Sequence, residues 1–280
     1  DDIKKAIDKF PSILVKEHEN PSCFGVIDEE EGYAKNIIEK PSSPPSKLVN
    51  AALYCLPKDI FDYKIEKSAR GEYEFTDYIK KFITEKRLHI CEASFWAPAS
   101  YPWDIFNVVP YLFKKQKKDK KVKIEKGAIL KGDVIVKEGT IIKSGVYIEG
   151  PVYIGKNCLI GPNCFLRPGT VIEDDCRIGQ AVEVKNSLIG KGTFASHLAY
   201  IGDSIIGESC NFGAGTITAN FRHDKQSIKT LVKGELIDTK RVKFGTVMGD
   251  NVKTGIHTII YPGRKIGSNK TTLPGEKVEK

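Results

Sequence analysis

The sequence has no apolar run long enough to span a bilayer, and no charged, apolar, small-residue leader opens it. A membrane partner is therefore not expected, and a cytoplasmic protein is. Paired-cysteine motifs are also missing. Seven Cys are scattered without a single CxxC pair, which argues against a disulfide framework and against a zinc ribbon. Methionine is nearly absent. The chain opens on Asp1 and its one Met is Met248, from which a longer parent chain, processed or trimmed, is expected. What the sequence has in excess is lysine. The net charge of +8 favours anionic partners, either nucleic acid or phosphorylated small molecules. The lysine-rich stretch 114–126 has no interleaved aromatics, so it reads as a basic linker or solvated helix face rather than a nucleic-acid patch.

The strongest positive signal is an internal period. Ile124, Leu130, Val136, Ile142, Ile148, Ile154, Ile160, Leu166, Ile172, Ile178 and Val184 fall six apart without a slip. Four residues after each comes a small or β-branched position, filled by Val134, Thr140, Val146, Val152, Cys158, Cys164, Thr170, Cys176 and Val182. Helices need apolar residues every three or four positions, which this stretch does not supply. One short strand and one turn per hexapeptide, three to a coil, give a triangular prism with the aliphatics inside and the small residues at tight corners. The pattern continues through Ile189, Ile201, Ile206 and Phe212 with two units shortened by one residue. It breaks after Asn220 and resumes with Met248, Thr254, Ile260, Ile266 and Thr272. Between them lies a polar segment, 222–244, carrying seven Lys or Arg. An insertion in mid-solenoid is expected to have no core role, which makes it a candidate functional loop or else a tolerated surface excursion. Cys158 and Cys176, eighteen apart, should stack; buried small hydrophobes is the preferred reading over a metal site.

Residues 1–113 show no such period. Asp1–Lys9 reads as a helix end, Ile13–Val15 and Cys23–Ile27 as strands, and Tyr73–Thr84 as an amphipathic helix. Five motifs occur in order: Phe24-Gly25-Val26-Ile27, Ile38-Glu39-Lys40-Pro41, Val49-Asn50-Ala51-Ala52-Leu53-Tyr54, Gly71-Glu72-Tyr73-Glu74-Phe75-Thr76-Asp77 and Trp103-Asp104. Together they resemble the C-terminal part of the sugar-phosphate nucleotidyltransferase domain. That resemblance implies that Glu39 and Asn50 touch a sugar, Lys40 its phosphate, and Asp104 a magnesium ion. It also marks a departure: the family's Gly-rich phosphate loop and first metal-binding Asp find no match here. This stretch alone is therefore expected not to make a nucleotide sugar, with Mg2+ needed only by an intact domain.

The second half carries Phe165-Leu166-Arg167-Pro168-Gly169, Val182-Glu183-Val184-Lys185-Asn186, Ser196-His197-Leu198-Ala199-Tyr200-Ile201-Gly202-Asp203 and Asn211–Asn220. Over about 150–275 it resembles the bifunctional glucosamine-1-phosphate acetyltransferase / N-acetylglucosamine-1-phosphate uridylyltransferase family, in an archaeal-looking version. The resemblance implies a mainly β protein, a left-handed parallel β-helix preceded by an incomplete α/β nucleotidyltransferase-like domain, assembled as a homotrimer with sites between prisms. The expected domains are 1–113, a linker 114–126, and a β-helix 127–280.

The implied activity is acetyl transfer from acetyl-CoA to the amine of glucosamine-1-phosphate or galactosamine-1-phosphate. His197 would be the general base, a role suited to an imidazole, with His223 and His257 as lesser candidates. Arg167 and Lys185, eighteen apart and so in vertical register, would hold the sugar's phosphate. Tyr200 and Asn211 would bond the sugar, and Asn220 would orient the amine or the base. Lys229, or Lys225 in its place, would reach a phosphate from the loop. Backbone at Ala214 would meet CoA. Ile256 stands where bacterial relatives carry Ser, and their C-terminal extension has no counterpart before Lys280. The competing readings are a nucleotidyltransferase whose β-helix serves only oligomerisation, and a non-enzymatic trimeric scaffold or carbonic-anhydrase-type metal β-helix. The last needs several His close together, whereas the positions one coil of eighteen from His197 are Gly179 and Gly215.

Overall fold

The computed structural model describes residues 1–68, 71–113 and 121–279. It divides into two compact units, Asp1–Ala97 and Pro98–Lys280. In the described residues no helix is long and apolar enough to cross a membrane.

In the first unit, helix α1 (Asp2–Asp8) precedes strand β1 (Ser12–Glu17). Then come β2 (Gly25–Glu30), β3 (Tyr33–Glu39), β4 (Leu48–Cys55), helix α2 (Phe75–Glu85) and β5 (His89–Glu92). Cys23, expected in a strand, ends a 3-10 turn (Pro21–Cys23) instead, because Pro21 supplies no backbone donor for a ladder. The five strands close in the order β1-β4-β2-β3-β5, with β1 and β5 parallel. Glu31 and Gly32 join β2 to β3 with φ of 52° and 82°. A two-residue turn with both φ positive matches the twist of the flanking strands. On α2, Ile79 and Phe82 are fully buried against Ile13, Ile27, Ile37 and Leu88, as the apolar spacing of that helix requires.

The second unit is a parallel β-solenoid of three sheets with eight, seven and six strands. In the eight-stranded sheet Ile148 pairs with Leu166, Leu166 with Val184 and Val184 with Ile201. All four are fully buried. The expected prism is thus in place, and it begins at Lys123–Ile124, inside the segment expected as linker. Residues 114–120 of that linker lie outside the described residues.

The corner positions have a polar logic that hydrophobicity alone misses. Thr140 Oγ1 donates to Gly155 O at 2.7 Å and Thr193 Oγ1 to Gly207 O at 2.8 Å. Cys158 Sγ donates to Glu173 O at 3.0 Å and Cys176 Sγ to Gly190 O at 3.2 Å. Each is a small buried donor aimed at a carbonyl of the next coil, so Thr and Cys alternate there with Val. Cys158 and Cys176 do stack, on successive coils.

The inserted segment corrects one expectation. Lys229–Val232 and Glu235–Asp238 form an antiparallel hairpin closed by Lys233 and Gly234, again both at positive φ. Ile228 and Phe244 are buried in a cluster with Trp103 and Phe106. The loop therefore has a core of its own, shared with the segment that leads into the solenoid. That segment holds the 3-10 turn Pro102–Asp104 and helix α3 (Ile105–Phe113), and it belongs to the second unit rather than the first.

Candidate functional site

Two irregularities of the solenoid fall on one edge. Both shortened units, Val184 to Ile189 and Ile201 to Ile206, lose their residue at the turn from the eight-stranded sheet into the seven-stranded sheet. The insertion leaves the solenoid at the same turn one coil later, between Thr218 and Met248. Asn186, Asp203 and Asn220 are consequently stacked seventeen residues apart. Asn186 and Asp203 sit at φ of 44° and 49°, a left-handed conformation these residues tolerate better than most.

Asp203 is the centre of this edge. It is only 3% exposed, yet its carboxylate meets three donors. Lys185 Nζ donates to Oδ2 at 2.9 Å, Asn186 Nδ2 donates to Oδ1 at 2.7 Å, and Asn220 Nδ2 donates to Oδ2. Asn220 Nδ2 also donates to the Tyr200 hydroxyl at 3.1 Å. The backbone at Gly202 must come close: a Cβ there would lie 2.5 Å from Tyr200 Oη and 2.6 Å from Asn220 Nδ2. Lys185, Tyr200 and Asn220, expected at a site for separate reasons, are thus one network. Asp203 belongs to the motif Ser196–Asp203, but no role for it follows from the sequence. The signal that would have found it is the pair of five-residue units, since a coil that drops a residue pulls its corner inward.

Arg167 stands one coil from Lys185 in the expected register. Its Nη1 donates to Glu183 Oε1 at 2.9 Å. The loop adds a further cation, Arg241, whose Nη1 donates to Asn107 Oδ1 at 3.2 Å and whose guanidinium lies 4.9 Å from the Phe106 ring. Burial pulls Arg241 below its ordinary value, opposed by the fields of Asp203 and Asp104. Arg keeps its charge under such a shift.

His197 ends the strand Phe194–His197 and is exposed, with no hydrogen bond from its imidazole among the described residues. Its neighbour in the preceding coil is Gln180, not Gly179, because the coil here is seventeen residues long. Continuing that register puts Ala214 opposite it in the following coil. Tyr200 begins the next strand, so His197 and the Asp203 network flank one strand, Tyr200–Gly202, at its two ends. Asn211 is exposed on the sheet that carries His197. Ala214 O accepts from His257 N at 2.8 Å, and Ile256 is 54% exposed beside it.

Lys229 lines a cavity of about 630 Å³ with Phe221, Arg222, His223, Tyr261 and Arg264. Arg222 is held there by Asp224, whose carboxyl the guanidinium draws down to about 2. Lys225 is exposed at φ 58° in the same loop and is not part of that lining. His223 lines this cavity and not the edge where Asp203 lies.

In the first unit, Glu39 and Asn50 both lie beside Gly25. A Cβ added to Gly25 would lie 3.1 Å from Glu39 Oε2, 3.2 Å from Thr76 Cγ2 and 3.5 Å from Asn50 Cβ. Asn50 Nδ2 donates to the Tyr54 hydroxyl, which burial holds above its ordinary range. Thr76 Oγ1 is buried without a partner among the described residues. Lys40 is exposed at the end of β3. Asp104 is spent locally, with Oδ2 accepting from Ser100 N and Tyr101 N at 2.8 Å each. The described residues contain no group of three or more His, Cys, Asp or Glu that could hold a metal. The donors among the described residues do not by themselves make a magnesium site.

Residues 3–99 match the nucleotidyl transferase family, and residues 148–273 match the GMPPB C-terminal domain family. The chain is 43% identical over 273 residues to the bifunctional protein GlmU of Methanocaldococcus jannaschii, covering 96% of this chain and 67% of that one. It is 42% identical over 275 residues to the bifunctional protein GlmU of Methanococcus aeolicus, covering 96% and 65%. It is 44% identical over 267 residues to the bifunctional sugar-1-phosphate nucleotidylyltransferase/acetyltransferase of Sulfurisphaera tokodaii, covering 93% and 66%. The chain thus spans about two thirds of the length of these relatives. With a nucleotidyltransferase-like unit followed by a parallel β-solenoid, it belongs to the GlmU family of bifunctional sugar-1-phosphate nucleotidyltransferase/acetyltransferases.

Proposed function

We propose that the solenoid transfers an acetyl group from acetyl-CoA to the amine of glucosamine-1-phosphate or galactosamine-1-phosphate, with His197 as general base. The observation that supports this best is the joining of Lys185, Tyr200 and Asn220 through Asp203 at one end of a strand whose other end adjoins an unengaged imidazole. Acyl transfer to an amine needs that combination. The nitrogen must be held with its lone pair toward the thioester carbonyl, and a base must take its proton. The C–N bond forms and the C–S bond breaks; His197 accepts the amine proton and returns it to the departing sulfur, so CoA leaves as the thiol and the imidazole is neutral again. Arg167 and Lys185 would meet the phosphate. Each already faces a carboxylate, so binding asks Arg167 to leave Glu183 and Lys185 to share Asp203. The loop cavity with Lys229 would take a further phosphate, on the sugar or on CoA, and the exposed backbone at Ala214 beside Ile256 would face the pantetheine arm. Exposure of His197 fits a site that a neighbouring prism completes, as in a homotrimer. The test is release of free CoA thiol with glucosamine-1-phosphate as acceptor. A wild-type chain that binds the sugar phosphate and releases no thiol would overturn the proposal.

One observation favours a second activity. The close approach at Gly25, with Glu39 and Asn50 beside it and Thr76 Oγ1 unpartnered, suits a sugar hydroxyl cluster. The first unit would then hold the sugar of a sugar-1-phosphate nucleotidyl transfer. Saturable binding of N-acetylglucosamine-1-phosphate that Glu39→Ala abolishes would support it, and its absence would argue that this surface is only structural.

A further inference from the structure

Asp203 is buried at the centre of the network, and its chemistry restricts what its neighbours can present. Beside the Lys185 ammonium, the carboxylate accepts through both oxygens and donates through neither. An Asn amide has an acceptor end and a donor end that are nearly isosteric, so its orientation is ordinarily ambiguous. A carboxylate neighbour removes the ambiguity, because only the nitrogen can face it. Asn220 Nδ2 has two protons. One goes to Asp203 and the other to the Tyr200 hydroxyl. Its carbonyl oxygen is then the end left for a ligand. Tyr200, having accepted from Asn220, keeps its own proton to donate.

We propose that Asp203 is a positioning residue that sets the hydrogen-bond polarity of the acceptor site, turning the Asn220 carbonyl toward the sugar amine and the Tyr200 O–H toward an oxygen of the substrate. This rests on the amino-sugar reading above and adds to it a selection rule. An N–H at the acceptor position finds an oxygen waiting, and the lone pair of that nitrogen is left to face the thioester. The same arrangement explains the burial. With both oxygens engaged by three donors, Asp203 pays its desolvation inside the protein and is ready before substrate arrives.

The experiment uses the full chain in three variants, Asp203→Asn, Asn220→Asp and the two combined. Asp203→Asn keeps the shape and puts a second amide where only an acceptor should be, so Asn220 loses its fixed orientation. We expect kcat to fall about 10²-fold, the order that a misplaced reacting group costs. The combined swap restores one carboxylate facing one amide, but the carboxylate at 220 accepts the Tyr200 proton and leaves the polarity reversed, so kcat should not recover over Asp203→Asn. A residue that only held the corner together would recover, because the pair across the corner is restored. Circular dichroism and sedimentation confirm that each variant is folded. Calorimetric binding of glucosamine-1-phosphate without acetyl-CoA reads Asp203 separately from acetyl transfer. Weaker binding in Asp203→Asn that the swap does not restore supports the assignment, even if no thiol is ever released by wild type. Unchanged binding and kcat in Asp203→Asn, or a folded swap variant that recovers both, overturns it. Wild-type protein that does not bind the sugar phosphate overturns both this and the proposed function.

Discussion

At the scale of single residues, the solenoid separates side chains that hold it together from side chains left available. His197 is of the second kind. Its exposure, and the absence of a hydrogen bond to its imidazole among the described residues, mean that His197→Ala removes little from the fold. A positioned acid–base group contributes roughly 10² to 10⁴ in rate. His197→Ala should therefore lower kcat by about that factor with Tm nearly unchanged, and the low-pH arm of kcat/KM should then follow only the free amine of the substrate. A near-native kcat with the wild-type pH profile would make His197 a bystander. Arg167 and Lys185 differ in the same sense. Arg167 is half-exposed in its pair with Glu183, whereas Lys185 and Asp203 are largely buried. Arg167→Ala should raise KM for the sugar phosphate by about ten-fold or more, a loss of roughly 1.4 kcal/mol, with stability intact. Lys185→Ala should raise KM and also destabilise, because it strands a buried carboxylate. Substrate titrations and thermal melts of the two variants tell these apart.

The cysteines are of the first kind. Burial pushes the Cys164 thiol up to about 12, and Cys210 is raised by the same cause. Alkylation proceeds through the thiolate. In native protein at pH 8, iodoacetamide should label exposed Cys23 and spare Cys158, Cys164, Cys176 and Cys210 until denaturant is added. Mass spectrometry of the digested protein reads this directly. Modification of a solenoid cysteine before unfolding would contradict the packing described.

At the scale of elements, the repeat was legible because one aliphatic every six residues has no other structural reading. The strands built from Ile142, Ile160 and Ile178 are where that period put them. The inserted loop was legible as an interruption but not as a structure. Its buried residues, Ile228 and Phe244, belong to no period, and their partners Trp103 and Phe106 lie far away in sequence. Asp203 was illegible for a related reason: a polar residue at a turn looks like every other turn. Only its three donors give it meaning, and none lies on its own coil: two come from the coil before and one from the coil after.

The packing of the loop can be tested by itself. Phe244 is completely buried and its ring meets Trp103 edge-on at 5.7 Å. Phe244→Ala should cost about 3 to 5 kcal/mol locally. Because the coils beneath pair without the loop's help, that cost should appear as opening of the hairpin rather than loss of the prism. Trypsin should then cut at Lys229, Lys233, Lys240 or Arg241 much faster than in wild type, with the main thermal transition little moved. Equal protection of the loop in both proteins would show that Phe244 is not what anchors it.

At the scale of the whole molecule, outward-facing apolar side chains run up the prism. Phe194, Ile217 and Ile259 are exposed on its flat faces. A flat face with such residues is best covered by another prism. Sedimentation at micromolar concentration should show a trimer, and a monomer alone would leave His197 without the neighbour that the proposed site calls for. The loop bears on this assembly through its place in the frame. Ile206 pairs with Met248 and Thr218 with Ile260, each across a gap of 42 residues, in the same parallel register as coils with no insertion. The scaffold closes beneath the hairpin as though it were absent. Changing the length of such an excursion costs only about 0.6 kcal/mol per doubling. The corner therefore works as a socket. A hairpin of other length can be plugged into it without resetting a single rung, so long as it keeps side chains that cover Trp103 and Phe106, which makes the loop a graft to exchange between solenoids.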